Sequence, residues 1–340
     1  MNILVTGGTG YIGAHTSVEL IKKGHQPILV DNLSNSHEET RHAIEKITGT
    51  AVDFYNIDLC DKIGISRLLR TLQVDAVIHF AAFKSVNESV ENPLRYYHNN
   101  IDSLTNLLDA VTDNGIQYFV FSSSCTVYGT PKTSPVTEDT LLERAESPYG
   151  VTKQLGERIV ADVMKAHRMK GISLRYFNPA GAHESALIGE FPLQAPTNLV
   201  PVITQTAAGL RPSMHVYGND YNTHDGTCVR DYIHVVDVAR AHVAALDRLT
   251  SPKMTTAHEV YNLGAGKGFT ILEVIRAFET MTGMKLNYAF GERRPGDVEQ
   301  IWADATLAEK ILGWKAQFSL DDIVGSAWKW ELQLKNVSKR

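Results

Sequence analysis

One stretch of the chain carries the side chains needed to move a proton. Ser122, Ser123 and Ser124 close an apolar run, and Tyr149 and Lys153 follow four residues apart, so they share one face of any helix that contains them. A free tyrosine titrates at about 10 and is a weak base at neutral pH. An ammonium beside it favours the phenolate, every tenfold change in that ionisation equilibrium being worth about 1.4 kcal/mol. Tyr149 would then serve as base and acid, Lys153 as its electrostatic partner, and Ser124 as a hydrogen-bond partner of a reacting hydroxyl. A Tyr-x-x-x-Lys pair also arises by chance in helices, and a serine triplet can merely end a strand, so the rest of the chain must decide.

Near the start, Thr6-Gly7-Gly8-Thr9-Gly10-Tyr11-Ile12-Gly13 follows the first apolar run and opens the first helical period, the context of a dinucleotide-binding turn. Gly7, Gly10 and Gly13 supply a tight turn, close backbone approach to a pyrophosphate and close helix-to-strand packing, with phosphates resting on free N–H groups. Glycine in such a turn can also serve positive φ alone. Asp31, 18 residues past Gly13, ends the second apolar run, where a carboxylate accepts the ribose hydroxyls and repels a 2′-phosphate, favouring NAD over NADP. It equally suits the start of a turn. Asp58, after the third run, fits an adenine contact or a helix cap. A positive nicotinamide would reinforce the effect of Lys153 on Tyr149, and Lys153 would also hold its ribose. Glycine turn, acid, serine and Tyr-x-x-x-Lys pair are independent features in the order that this chemistry needs.

The elements that must position these residues follow from the alternation of apolar runs with helical periods, which predicts an α/β fold with a doubly wound parallel Rossmann sheet. Strands are expected at 2–6, 26–31, 52–56, 75–80, 118–123 and 172–176, and helices at 11–23, 38–48, 62–71, 93–114 and 148–167, three of them stopped by Gly24, Gly49 and Gly115. Right-handed crossovers place the ligand crevice at the carboxyl ends of the strands. After Tyr176 a turn-rich stretch to about Pro201 marks a boundary. Helix returns at 235–248 and strand at 260–263; Thr270 and Glu273 form a capping box, and Ser319 caps a last helix. The expected division is an NAD-binding domain of residues 1–176, with 227–263 returning to it, and a smaller α/β substrate domain of 177–226 and 264–340.

Bulk properties exclude other classes. The 340 residues carry a net charge of −5 with Lys and Arg scattered, which lacks the basic footprint of a nucleic-acid binder. Cys60, Cys125 and Cys228 are odd in number and far apart, which indicates neither a disulfide framework nor a zinc site and fits a reducing compartment. No apolar run suits a signal core or a membrane span, so the protein is expected in the cytoplasm. His37 and His42 stand one residue too far apart for a zincin, and no metal site is expected.

The segments LVTGGTGYIG (4–13), VIHFAA (77–82), YYHNN (96–100), FSSSCTVYG (121–129), SPYGVTK (147–153), LRYFNPAGAH (174–183), VRDYIHVVD (229–237), YNLGAG (261–266) and RRPGD (293–297) span nearly the whole chain. With them the sequence resembles the extended short-chain dehydrogenases, and among those the UDP-glucose 4-epimerase family. The resemblance implies an NAD site lined by Tyr11, Ile12, Asp31, Asn32, Leu33, Ser34, Asn35, Ser36, Asp58, Leu59, Phe80, Ala81, Ala82, Phe83, Lys84, Asn99, Ser124, Tyr149, Lys153 and Phe177, with Ser122 and Tyr176 at the strand ends beside them. It implies that Asn178, Asn198, Leu199, His215, Tyr217, Arg230, Arg294 and Asp297 hold UDP, with Lys84, Ser124 and Tyr149 also facing the sugar. Arginine forks suit diphosphate oxygens. Ile301 resembles the family's gate for the C2 substituent and is intermediate in size, leaving N-acetylated sugars open.

Departures occur at Phe83 and Asn87, bulkier than usual, and at Cys125, where alanine is common. The implied reaction is reversible 4-epimerisation through a 4-ketose with retained NAD, in a homodimer paired through helices 93–114 and 148–167. Rivals are a sugar-nucleotide 4,6-dehydratase, disfavoured because Cys125 and Thr126 follow Ser124 with no carboxylate before Glu138, a dehydrogenase, and a non-catalytic NAD-sensing protein.

Overall fold

The computed structural model describes residues 1–294 and 297–337, so Pro295 and Gly296 of the RRPGD segment lie outside the described residues. Among the described residues, seven parallel strands form the main sheet: β1 (Asn2–Thr6), β2 (Gln26–Asp31), β3 (Asp53–Asn56), β4 (Ala76–His79), β5 (Tyr118–Ser124), β6 (Lys170–Tyr176) and β7 (His258–Leu263). Their order is β7-β6-β5-β4-β1-β2-β3. Order reverses between β1 and β4, and a crevice opens at the carboxyl ends of strands around such a switch point.

The sheet strands are apolar on both faces because both faces are covered. Ile3 and Val5 point into one core with Val18, Leu29 and Leu246, whereas Leu4 points into the other with Val77, Leu107 and Phe119. Several helices end where the sequence supplies a left-handed residue: helix Glu39–Thr48 is capped by Gly49 at φ 69°.

One expected element is not continuous. The segment expected as a single helix over 93–114 is helix Pro93–Tyr97, a π-helical turn His98–Asp102 and helix Ser103–Asp113. The reason is tertiary. The buried Asn100 side chain accepts from Phe83 N at 2.8 Å and donates to Phe83 O at 3.0 Å and Thr152 Oγ1 at 3.0 Å. The wider turn directs Asn99 toward the crevice that it lines.

Beyond β6 the chain builds a third core from helices Leu199–Ala207, Ile271–Thr282 and Leu320–Val337, around Ile203, Phe278 and Val324. Helix Leu199–Ala207 begins inside the stretch expected to be irregular, because Pro201 sits in its first turn, where a missing N–H costs nothing. The capping box of Thr270 and Glu273 is present. Strand Asn178–Ala180 pairs with Tyr232–His234, after which helix Val235–Thr250 packs on helix Tyr11–Lys22 and β7 joins the edge of the main sheet. No helix among the described residues is long and apolar enough to cross a membrane.

Candidate active site

The glycine turn sets the floor of the crevice. Gly7 has φ +68°, and a Cβ there would lie 2.8 Å from Ala81 N. A Cβ on Gly13 would lie 2.2 Å from Gly7 O, so only glycine lets the first helix start this close to the strand. Gly10 is the N-cap and has no side-chain capping bond, which leaves the first N–H groups of Tyr11–Lys22 for an anion.

Asp31 ends β2, nearly buried, and its carboxylate accepts from Thr9 N at 3.3 Å, Leu33 N at 3.0 Å and Ser36 Oγ at 2.9 Å. It therefore shapes the loop and lines the crevice at once, and Leu33 is forced to φ 56°. Asp58 accepts from Asn32 Nδ2 at 3.1 Å and Cys60 N at 2.8 Å, which makes it a turn cap as well as a crevice residue.

The proton-moving residues lie across the crevice on helix Pro148–His167, whose N-cap Ser147 accepts from Gly150 N. Tyr149 and Lys153 face the same side; Lys153 Nζ lies 5.9 Å from the Tyr149 ring centroid and donates to Ser122 O at 2.7 Å and Ser122 Oγ at 3.3 Å. Burial pushes the Tyr149 phenol up to about 12, while a hydrogen bond from Ser124 acts in the opposite direction. Burial pulls Lys153 down to about 7, and the Glu157 carboxylate opposes it. The phenolate expected at Tyr149 depends on an ammonium and a positive nicotinamide together; among the protein's own groups, desolvation is the largest influence on the phenol.

One turn beyond Lys153 lies a residue with no signature in the sequence. Glu157 is buried and takes a bidentate pair from Arg175 on β6, at 2.8 Å from Nε and 2.7 Å from Nη2, together with Ser123 Oγ at 2.5 Å. Arg175 Nη1 also donates to Tyr128 Oη at 3.0 Å, and Tyr128 donates to Asn262 Oδ1 at 2.7 Å. The helix that carries Tyr149 is thereby pinned to β5 and β6. An Arg near the end of a strand and a Glu within the preceding helix carry no motif.

Of the cofactor-side residues expected from sequence, Gly7, Gly10, Tyr11, Ile12, Gly13, Asp31, Asn32, Ser34, Asn35, Ser36, Asp58, Leu59, Phe80, Ala81, Ala82, Phe83, Lys84, Asn99, Ser122, Tyr149, Lys153 and Tyr176 line one crevice. Leu33, Phe177 and Ser124 are not among its lining residues. Phe177 packs instead with Val127, Tyr128 and Ile301. Ser124 Oγ accepts from Thr126 N at 3.3 Å, just behind the phenol. Gly189, Glu190, Phe191 and Pro192 also line the crevice and were not foreseen.

The expected nucleotide-side residues are spread over several short elements. Asn178 opens its strand with a buried Oδ1 that has no partner among the described residues, while Asn198 precedes Leu199 at the start of a helix and donates to Glu190 Oε1 at 2.7 Å. His215 and Tyr217 occupy the exposed face of Met214–Tyr217. Arg230 meets Asp297 at 3.3 Å, Arg294 lies 3.8 Å from the centroid of Tyr217, and Ile301 is in register with Arg230. Glu138, the first carboxylate after Ser124, accepts from Asn262 N at 2.7 Å and does not line the crevice.

A doubly wound sheet with this glycine turn, a carboxylate closing β2 and a buried Tyr-Lys pair defines the extended short-chain dehydrogenase class. A family model described as GDP-mannose 4,6 dehydratase matches residues 4–327. A UDP-glucose 4-epimerase of Drosophila melanogaster is 48% identical over 98% of this chain and 97% of its own length, and one of Bacillus subtilis is 46% identical over 97% of each. Among solved structures, the UDP-glucose 4-epimerase of Stenotrophomonas maltophila with bound NAD and formylated UDP-arabinopyranose has a TM-score of 0.95 at 47% identity, covering 99% of both chains. That of Bifidobacterium longum with NAD+ and UDP has a TM-score of 0.95 at 45% identity, again over 99% of both chains. The chain belongs to the family so described and, within it, to the UDP-glucose 4-epimerases.

Proposed function

We propose that the protein interconverts the C4 epimers of a UDP-hexose, UDP-galactose and UDP-glucose, through a transient 4-keto sugar, with NAD held in the crevice. The observation that carries this is the placement of Tyr149 and Lys153 on the wall of the same crevice as the glycine turn and Asp31. The residues fit NAD: the first N–H groups of helix Tyr11–Lys22, after Gly10, suit its pyrophosphate, and the Asp31 carboxylate suits ribose hydroxyls and repels a 2′-phosphate. The chemistry NAD supplies when bound is reversible hydride transfer at C4.

Tyr149 Oη takes the proton of the 4-hydroxyl and later returns it to the keto oxygen. Lys153, held on Ser122, places its charge beside the phenol, and Ser124 shares the hydrogen bond to the reacting oxygen. Asn178, Asn198, Leu199, His215, Tyr217, Arg230, Arg294 and Asp297 hold the UDP end, so that binding energy remote from the sugar positions C4 while leaving it free to present either face. Lys84 stands where the two regions meet, and Ile301 borders the sugar. Cys125 and Thr126 follow Ser124, and Glu138, the next carboxylate, is held on Asn262 N, which favours epimerisation over dehydration.

Two regions follow: residues 1–176 with 227–263 bind NAD, and 177–226 with 264–340 bind the UDP-sugar. Exposed Val90, Leu94 and Leu155, on helices Val86–Glu91, Pro93–Tyr97 and Pro148–His167, support pairing with a second copy in a homodimer. The proposed compartment is the cytoplasm. The decisive experiment equilibrates purified protein with UDP-galactose or UDP-N-acetylgalactosamine, with no NAD added. A 4-epimer should form in at least one mixture, and NAD should be released on denaturing the protein. Absence of both products, or release of NADP alone, refutes the assignment.

A further inference from the structure

The segment 189–193 crosses the crevice and is fastened on both banks. On one bank, Gly189 lies so close to Trp330 that a Cβ would sit 2.5 Å from the indole, and Trp330 Nε1 donates to Glu190 O at 3.1 Å. On the other, Phe191 stacks on His37 with centroids 4.4 Å apart and planes at 19°, and Leu193 N donates to Asn35 Oδ1 at 3.2 Å. Asn35 and His37 belong to the loop that follows Asp31, at the adenosine end, whereas Trp330 belongs to the last helix. Phe191 also meets Trp330 edge-on, with centroids 6.2 Å apart.

Between these fastenings, one oxygen makes the central connection. Glu190 Oε1 accepts from Lys84 Nζ at 2.9 Å and from Asn198 Nδ2 at 2.7 Å. Its side chain is only 8% exposed, while that of Lys84 is 49% exposed, so the carboxylate is fixed inside and draws the lysine to it. Lys84 follows β4 on the sheet side, and Asn198 starts the helix that belongs to the third core. A carboxylate this enclosed depends on its partners, and parting it from the ammonium leaves it uncompensated.

We propose that Glu190 is a positioning residue that fastens segment 189–193 across the crevice by holding Lys84 and Asn198 together, and thereby retains the dinucleotide between turnovers. This rests on NAD occupying the crevice as described above. Glu190, Phe191 and Pro192 line that crevice with Gly10 and Tyr11, so a dinucleotide bound there lies against this segment. Retention is then a matter of dissociation rate, which loosened contacts raise.

The test uses purified holoenzyme of the wild type, Glu190→Ala, Glu190→Gln and Phe191→Ala. NAD remaining per chain is followed over time in NAD-free buffer, and UDP-galactose turnover is measured with and without added NAD. Glu190→Ala is expected to lose NAD about tenfold faster than wild type, with turnover falling as NAD leaves and returning when NAD is supplied. Glu190→Gln, whose amide oxygen still accepts from both donors, is expected to lie between. Retention equal to wild type in Glu190→Ala, or a loss of turnover that added NAD does not restore, overturns the proposal. Should Glu190→Ala fail to fold, Phe191→Ala decides, since it loosens the same segment from His37; unchanged retention there overturns the proposal equally. A wild-type protein that carries no NAD or makes no epimer would instead sink the epimerase assignment, whereas an active wild type with unaltered variants sinks only the role of Glu190.

Discussion

The pyrophosphate end of the crevice consists of backbone and of side chains with no room to move, whereas the end formed by residues 178–301 consists of long side chains that reach for one another. At the first end, Gly7 and Gly13 admit no Cβ, Asp31 is fixed by three donors, and Lys153 is buried against Ser122. At the second, Arg230 bonds Asp297 and Arg294 covers Tyr217, both with partly exposed members. A cofactor that must be returned unchanged after each cycle suits a rigid, preformed cradle. A nucleotide that must come and go suits arms whose partners can be exchanged at little cost.

If that contrast is right, substitutions at the rigid end should cost rate and stability, and those at the other should cost affinity. The largest effect is expected from Tyr149→Phe, which keeps the ring and removes the oxygen proposed to take the proton. Turnover of UDP-galactose should fall by about 10³-fold, within the range of general acid–base contributions, with NAD still bound. A residual rate within about tenfold of wild type would give the proton to another group. Next comes Glu157→Gln, which leaves Arg175 enclosed without its carboxylate. Since the two side chains are only 8% and 5% exposed, denaturant unfolding should show a loss of about 3 kcal/mol. The same change removes the charge that holds Lys153 up, so its pKa should move below about 7. An unchanged unfolding midpoint would make the pair decorative. Gly13→Ala should cost about 1–3 kcal/mol and weaken NAD retention together, because the added carbon must push Gly7 O from 2.2 Å. Separation of those two losses in a thermal melt with and without NAD would show that the turn and the cradle are not one structure.

The same contrast explains what could be foreseen from sequence. β1, β2 and β5 announce themselves because a strand covered on both faces is a continuous apolar run, and Asp31 and the glycine turn sit at fixed offsets from those runs. Strands Val229–Arg230 and Gln300–Ile301 are two residues long, and no periodicity exists at that length. The break at His98–Asp102 was hidden because its cause, Asn100 reaching Phe83 and Thr152, is a contact between distant segments. Pro201 masked the helix Leu199–Ala207 by suggesting a breaker where it is a first-turn residue. Glu157, Glu190 and Phe191 had no signature, since each acts through a partner far along the chain: Arg175, Lys84 and His37.

The smallest expected effect tests the nucleotide end. Arg230→Lys keeps the charge near Asp297 but loses the planar fork proposed to grip two diphosphate oxygens at once. The pair it disturbs is 14% and 31% exposed, and so contributes little to folding, about 0–1 kcal/mol. The melting temperature should therefore hardly move, while KM for UDP-galactose rises about tenfold, the equivalent of about 1.4 kcal/mol of lost binding. Because the diphosphate lies away from C4, most of that loss belongs to the bound substrate and the transition state alike, so KM should change more than kcat. A melting temperature that falls as far as that of Glu157→Gln, with KM unaltered, would place Arg230 among the fixed parts of the molecule and remove the distinction between the two ends.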